Sequence, residues 1–285
     1  MSTMVDRKSF AALRWKAEKK GCAKAMPGAL RACHTGNAGV LIYMEETDEA
    51  VLGADVFCRD RKGLYMDTPK EERKRLLALI GRRELTTLLF THEHGDHFCL
   101  EDVLEALKEN PGLHIISTQA VIRRIREKSG AGILTEIRRE ETGTVKIGLG
   151  SGAWENAAAL TLFNAPHMGE QFAEVQNLVC LLEVGGKKIL LPGDARPDAE
   201  LFERTASWSP VIDWLIGPFP LLGLPSSRKK MAAALTVRHA LAVHLPRPER
   251  DIHGWRASAV KVCERASDGL PVPLFGDAPG QIYLL

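Results

Sequence analysis

The chain has 285 residues, 45% of them hydrophobic, which allows one large domain or two small ones with an ample core. A formal net charge of only +2 speaks against a general nucleic-acid binder, whose affinity rests on a concentrated basic surface, while leaving room for a local basic patch. No run reaches the ~18 apolar residues of a membrane span, and the first thirty residues show no apolar core of a secretory leader.

The six cysteines (Cys22, Cys33, Cys58, Cys99, Cys180 and Cys263) form no C-x-x-C pair, so a zinc ribbon or thioredoxin-type site is disfavoured and reduced thiols in a cytoplasmic protein are expected. Residues 1–29 read as an extension. Phe10, Leu13 and Trp15 among basic residues predict a short amphipathic helix, docked on its own domain or on a second subunit rather than on a membrane. One domain is then expected over residues 30–285. Turn chemistry at His34-Thr35-Gly36-Asn37-Ala38-Gly39 leads into a strand at residues 40–43, and residues 51–57 read as another strand carrying Asp55. His34 reads as a structural histidine. Thr68 is expected to cap a helix that Pro69 opens and that shows Leu76, Leu77 and Ile80 on its apolar face.

A strand at residues 86–90 precedes Thr91-His92-Glu93-His94-Gly95-Asp96-His97, three histidines and two carboxylates within seven residues. Such a loop, at the C-terminal end of a strand and entering a helix, is where open α/β sheets place their sites. His92 and His94 flank Glu93, so a turning backbone can aim both imidazoles at one metal. Gly95 permits a bend, after which Asp96 and His97 can face a second metal. Glu93 and Gly95 read as spacers. This donor set suits zinc first, with iron or manganese also compatible. Cys99 beside the loop reads as a small buried residue at a helix start, with a role as ligand or oxidation-sensitive neighbour kept open. A helix from Asp102, a strand at residues 113–116 that leaves His114 remote from the loop, and a helix at residues 120–128 with a solvated Arg/Lys-rich face follow.

The second half is richer in strands. Residues 160–164 lead to His167. Residues 177–184 and 187–191 flank a Gly185-Gly186 hairpin turn, and the second of these strands delivers Asp194. A short helix at residues 197–204 and a strand at 211–216 precede an apolar loop, residues 217–225, which either packs under its neighbours or walls a substrate cleft. A helix at residues 227–236, capped by Ser226 or Ser227, leads to a strand ending at His244, which is preferred as a ligand over His239. Residues 271–274 and 281–285 read as final strands. Two strand-rich halves, each ending in helices, fit an α/β (α+β) four-layer αββα sandwich. The regular βαβ alternation and G-x-G-x-x-G of a dinucleotide-binding domain are missing.

The His92-x-His94-x-Asp96-His97 motif resembles the HxHxDH motif of the metallo-β-lactamase fold hydrolases, and Asp55, His167, Gly193-Asp194 and His244 follow the family's order across residues 36–244. The resemblance implies the αββα sandwich and two divalent metal ions. His92, His94 and His167 would hold the first, and Asp96, His97 and His244 the second. Asp194 would bridge them, and Asp55 would brace the metal loop from behind. It further implies a bridging hydroxide that attacks a carbonyl carbon or a phosphorus, with Asp96 orienting the nucleophile and carrying a proton to the leaving group. The stretches Gly36-Asn37-Ala38-Gly39-Val40-Leu41-Ile42, Thr91-His92-Glu93-His94 and Gly193-Asp194-Ala195 look closest to compact members resembling L-ascorbate-6-phosphate lactonase. The expected function is therefore hydrolysis of a small lactone or ester, phosphorylated or not. A phosphodiesterase on the same fold is the alternative, with Arg196, Arg228, Lys229, Lys230 and Arg247 either meeting a phosphate or serving as ordinary surface charges. A non-catalytic, metal-dependent metabolite-binding protein is the third reading. Residues 194–244 leave no room for the inserted arm of nuclease relatives, and no flavin module of a redox relative is seen. A small-molecule substrate is the expected partner, without nucleic acid or membrane, and a homo-oligomer stays open.

Overall fold

The structure, a computed structural model, describes residues 29–45, 49–148 and 158–285; the expected N-terminal helix lies outside them. Each half of the chain first lays down antiparallel strands and then continues with parallel ones. In the first half β1 (Leu30–Gly36), β2 (Gly39–Met44) and β3 (Ala50–Ala54) form an antiparallel meander. Then α1 (Lys70–Gly81), β4 (Thr87–Phe90), α2 (Leu100–Glu109), β5 (His114–Thr118), α3 (Gln119–Arg126) and β6 (Ile133–Ile137) extend the sheet in parallel. In the second half β7 (Thr142–Ile147), β8 (Ala158–Pro166), β9 (Gln176–Val184) and β10 (Lys187–Leu191) are antiparallel neighbours. They are followed by α4 (Ala199–Trp208), β11 (Val211–Pro218), α5 (Phe219–Gly223), α6 (Pro225–Ala234), β12 (Thr236–Val243), α7 (Trp255–Arg265) and β13 (Leu274–Phe275), whose strands run parallel. The last strand, β14 (Ile282–Leu284), returns to pair with β1. Among the described residues this gives two seven-stranded sheets, ordered β14-β1-β2-β3-β4-β5-β6 and β13-β12-β11-β10-β9-β8-β7.

Strand alternation then sorts the apolar side chains into layers. Leu52, Leu89 and Ile116 of the first sheet meet Leu160, Leu182, Ile189 and Leu241 of the second between the sheets. Leu88, one residue from Leu89, points the other way and packs with Leu76, Ile80, Val103 and Ile122 of the helices outside the first sheet. Leu201, Phe202 and Met231 do the same outside the second. The result is the expected four-layer αββα sandwich.

Gly185 and Gly186 make the predicted hairpin, with φ of +56° and +73°, a conformation that favours glycine. Two expected caps are replaced. Thr68 does not cap α1; its Oγ1 donates to the Val56 carbonyl (2.8 Å) and accepts from the Cys58 amide (3.0 Å), closing the loop after β3. Ser227 lies inside α6, which Pro225 opens, and its hydroxyl donates to the Leu221 carbonyl at 2.5 Å. The apolar stretch at residues 217–225 closes β11 and forms buried α5. Gly223 lets α5 meet α7 so closely that a β-carbon there would stand 2.6 Å from Ala259 Cβ. No helix among the described residues is long and apolar enough to cross a membrane.

Candidate metal centre

Strands from both sheets end at one rim. Asp55 follows β3, the Thr91–His97 loop follows β4, His167 follows β8, Asp194 follows β10 and His244 follows β12. The metal loop turns tightly, with the amides of His97 and Phe98 both donating to the His94 carbonyl (3.0 and 2.8 Å). The His167 and Asp194 turns are tied together by Met168 N to Asp194 O (2.8 Å) and Arg196 N to Pro166 O (2.7 Å). Gly193, with φ +55°, lets this turn press on Thr91; a β-carbon there would lie 2.8 Å from Thr91 Cβ.

The structure brings all seven predicted ligands together. His92 Nε2 approaches His94 Nδ1 at 3.1 Å and His167 Nε2 at 3.3 Å, so three imidazole nitrogens converge. Asp96 Oδ2 lies 3.1 Å from His244 Nε2. Asp194 sits between the two groups: its Oδ1 is 3.4 Å from His97 Nε2, and its Oδ2 is 3.3 Å from His244 Nε2 and 3.6 Å from His167 Nε2. In each of the sets His92/His94/His167, His92/His97/Asp194 and Asp96/His97/His244 the donor atoms lie within 4.8 Å of one another.

At His92, His97 and His167 the opposite ring nitrogen is met by the protein, which orients the ring. His97 Nδ1 donates to Asp55 Oδ2 (2.8 Å), and His167 Nδ1 donates to the Met168 carbonyl (2.6 Å). His92 Nδ1 faces Thr91 Oγ1 (3.1 Å), whose own proton goes to Asp55 Oδ2 (2.7 Å). Asp55 also accepts the Thr91 amide (2.8 Å), so its carboxylate is spent on orienting the loop rather than aimed at the centre. Its backbone adopts φ +49° to do so.

Electrostatics divides the histidines. Burial, with the cationic His97 nearby, pushes His92 well below its ordinary value, leaving a free lone pair; His94 is lowered mainly by burial and by His167. Burial also acts to lower His97 and His244. Asp194 and Asp55 outweigh it at His97, and Asp194 and Asp96 outweigh it at His244, raising each to about 10. Burial acts to raise Asp96, yet the close approach of His244 and the charges of His97 and His244 bring it down to about 2.

Several residues of this centre had no assigned role in the sequence. Asn177 accepts the Asp194 amide (2.9 Å) and donates to the Pro192 carbonyl (3.0 Å). Asn37, in the β1–β2 turn, donates through Nδ2 to the Asp96 carbonyl (2.8 Å), and its own carbonyl accepts the His244 amide (3.1 Å). Each contact joins parts of the chain far apart in sequence, so no local pattern signals it. The Tyr65 ring meets His244 edge-on with centroids 4.1 Å apart, and Phe172 packs against His94 and His167 (4.8 and 5.0 Å).

Above the centre opens a cleft of about 790 Å³, bounded by Tyr65, Phe98, Phe172 and Pro220 among others. The other histidines lie elsewhere. His114 pairs with Thr135 at the start of β5, His239 stacks on Trp214, and His34 donates to the Asn37 carbonyl. Cys99 precedes α2, buried, with its thiol on Glu101 and raised by burial to about 12; it joins no donor set. None of the five cations named as phosphate contacts borders the cleft. Arg228 is buried against Asp268 (2.7 Å), Arg196 pairs with Asp198 (2.9 Å) and Arg247 donates to the Tyr65 carbonyl (2.7 Å).

No family model and no curated protein sequence matches the chain. Solved structures do. The metallo-β-lactamase fold protein YhfI from Bacillus subtilis superposes with a TM-score of 0.57 at 13% identity, over 90% of this chain and 100% of that one. Igni18, a metallo hydrolase from Ignicoccus hospitalis, gives 0.58 at 13%, over 90% and 98%. CmlA, a diiron β-hydroxylase from Streptomyces venezuelae, gives 0.53 at 12%, over 92% of this chain and 55% of that one. Identities this low speak for architecture alone, and on that ground the chain has the metallo-β-lactamase fold.

Proposed function

We propose that the chain is a metal-dependent hydrolase that holds two divalent cations, zinc first, with manganese or iron accommodated by the same donors, and acts on a small lactone or ester. The observation that carries this reading is a set of orphaned atoms. His97 Nε2, Asp194 Oδ1 and His244 Nε2 are buried without a hydrogen-bond partner, at the meeting point of five imidazoles and two carboxylates. Buried polar atoms without partners are costly, and a cation is the partner this chemistry calls for. His92, His94 and His167 would hold one ion, Asp96, His97 and His244 the other, with Asp194 shared.

When bound, the ions supply Lewis acidity, lowering the pKa of water toward neutrality and polarising a carbonyl oxygen. The chain's own residues do the rest. Asp96, held by Asn37 through its backbone and with its carboxylate 3.1 Å from His244 Nε2, orients the attacking water and passes a proton to the departing oxygen. Tyr65, Phe98 and Phe172 give the substrate an apolar wall and keep bulk water away. Between Asp194 and His244 the chain builds only α4, β11, α5, α6 and β12, with no appended arm to hold a polynucleotide. That favours a small ester over a nucleic-acid phosphodiester.

The test is metal content by plasma mass spectrometry, followed by a panel of lactones and aryl esters. About two transition-metal ions per chain and ester hydrolysis that His92→Ala abolishes are the expected outcome. A protein that holds no transition metal even after reconstitution would overturn the proposal, and one that holds two without hydrolysing any ester or phosphodiester would point to the metabolite-binding alternative.

A further inference from the structure

Arginines flank the metal loop. On one side the Arg59 amide donates to the Gly95 carbonyl (2.6 Å), and the two residues are so close that a β-carbon on Gly95 would stand 2.7 Å from the Arg59 oxygen. On the other, Arg124 of α3 donates through Nη1 to the Glu93 carbonyl (3.1 Å). His94 lies in sequence between these anchors, and Arg59, Arg124 and Lys62 all border the cleft.

This wall carries cations that the fold does not use up. Among the described residues Arg124 and Lys62 have no carboxylate partner, and Arg124 commits a single nitrogen to a neutral carbonyl. Arg59 stands 3.4 Å from Asp102 Oδ1, an oxygen that Arg73 already holds at 2.6 Å. The carboxylates around them are largely occupied. Asp60 spends its two oxygens on the amides of Lys62 and Tyr65 (2.9 and 2.8 Å), and Glu101 faces Arg61 (3.8 Å), which leaves Glu93. A guanidinium with free donors at the mouth of a cleft matches the planar, bidentate demand of a carboxylate or phosphate.

We propose that Arg124 supplies an anion subsite at the cleft mouth beside the metal loop, so that the substrate carries a carboxylate or phosphate group next to its scissile ester. This rests on the hydrolase reading. Its test uses aryl esters of matched size carrying a carboxylate, a phosphate or a neutral group, with the metal-loaded protein and its Arg124→Ala and Arg124→Glu variants. The ratio of kcat/KM for the anionic over the neutral ester should fall about tenfold in Arg124→Ala, chiefly through KM, and further in Arg124→Glu. Whether the carboxylate or the phosphate ester shows the larger fall identifies the group. A ratio that stays constant overturns the subsite. Calorimetric titration of succinate and of glycerol 1-phosphate into the same proteins reads the subsite without turnover, and circular dichroism melts check that the variants fold. If no ester is hydrolysed yet the probes bind about tenfold more weakly to Arg124→Ala, the hydrolase reading fails and the subsite stands. If probe affinity ignores Arg124, the subsite fails whatever the activity.

Discussion

Thr91 and Asp55 show how a residue outside the donor set governs it. Thr91 Oγ1 gives its proton to Asp55 and faces His92 Nδ1, while Asp55 takes the proton of His97 Nδ1. Replacing Asp55 by Asn keeps the shape but puts an amide donor where an acceptor is needed, so His97 loses its anchor. Partners of this kind are worth ~10–100-fold in metal affinity. Asp55→Asn should weaken binding by that factor in competition with a chromogenic chelator; unchanged affinity would remove Asp55 from the site. The same charges set a pH signature. In metal-free protein His97 and His244 are raised from 6.5 to about 10, so their contribution to stability is complete below pH 6.5 and is lost as pH climbs toward 10. Asp96 is lowered from 3.8 to about 2, so its contribution is complete above 3.8 and is lost as pH falls through that range. Melting temperature of stripped protein should therefore plateau between about pH 4 and 6.5 and fall on either side, and a profile flat to pH 10 would contradict this. The seven residues that the structure brings together were marked in the sequence by the resemblance of their motifs and order to the metallo-β-lactamase fold hydrolases. Thr91 and Asn177 were not assigned these roles, since a hydroxyl or an amide declares its role only through the partner it meets.

The element that most shapes the second half of the site is the β1–β2 turn. A β-carbon on Gly36 would stand 2.8 Å from the Asp67 carbonyl oxygen, and one on Gly39 would stand 2.8 Å from that of Asp55. The turn is thus wedged against both ends of the loop that links β3 to α1. From this seat Asn37, at φ +36°, reaches Asp96 with its side chain and His244 with its carbonyl. Losing the amide donor would leave the part-buried Asp96 carbonyl unpaired, at a cost of ~1 kcal/mol. Asn37→Ala should lower the metal content by about one ion per chain, as the Asp96/His97/His244 set loosens. Asn37→Gly tolerates the backbone yet lacks the donor, so it should lose the same ion; full loading of the Gly variant would show that the hydrogen bond is dispensable. Turn chemistry was readable here from Gly36-Asn37-Ala38-Gly39, but its target was not. Element by element, the β9–β10 hairpin was legible because two glycines leave one backbone solution. The caps at Thr68 and Ser227 misled because a hydroxyl near a helix start can serve the carbonyl of a neighbouring segment, Val56 or Leu221, as readily as the helix end. The cationic face of α3 read as solvated, and only packing beside Glu93 reveals Arg124 at the cleft.

At the scale of the molecule the donors come from both sheets: the metal loop from the first, His167, Asp194 and His244 from the second. The sandwich was foreseeable from two strand-rich halves, yet which of two adjacent leucines faces which layer was not, since Leu88 and Leu89 are chemically identical and only the pairing register separates them. Protein contacts already tie the sheets at this rim, as where the Leu178 amide of β9 donates to the Thr91 carbonyl (2.9 Å). They are joined by the His97–Asp194 approach, which places a buried cation against a buried anion without completing either shell. Ions shared between the sheets would therefore act as a cross-link of the whole fold rather than of one loop. Binding at a thousandfold excess over Kd stabilises a native state by about 4 kcal/mol, and in a chain of this size each kcal/mol moves Tm by roughly 2–4 °C. Stripping the metal should lower Tm by on the order of 10 °C. Hydrogen exchange should quicken at the rim-facing ends of β4, β8, β10 and β12 together, because they lose one common tie. Faster exchange confined to the Thr91–His97 loop would mean that the ions serve that loop alone and that the sandwich closes without them.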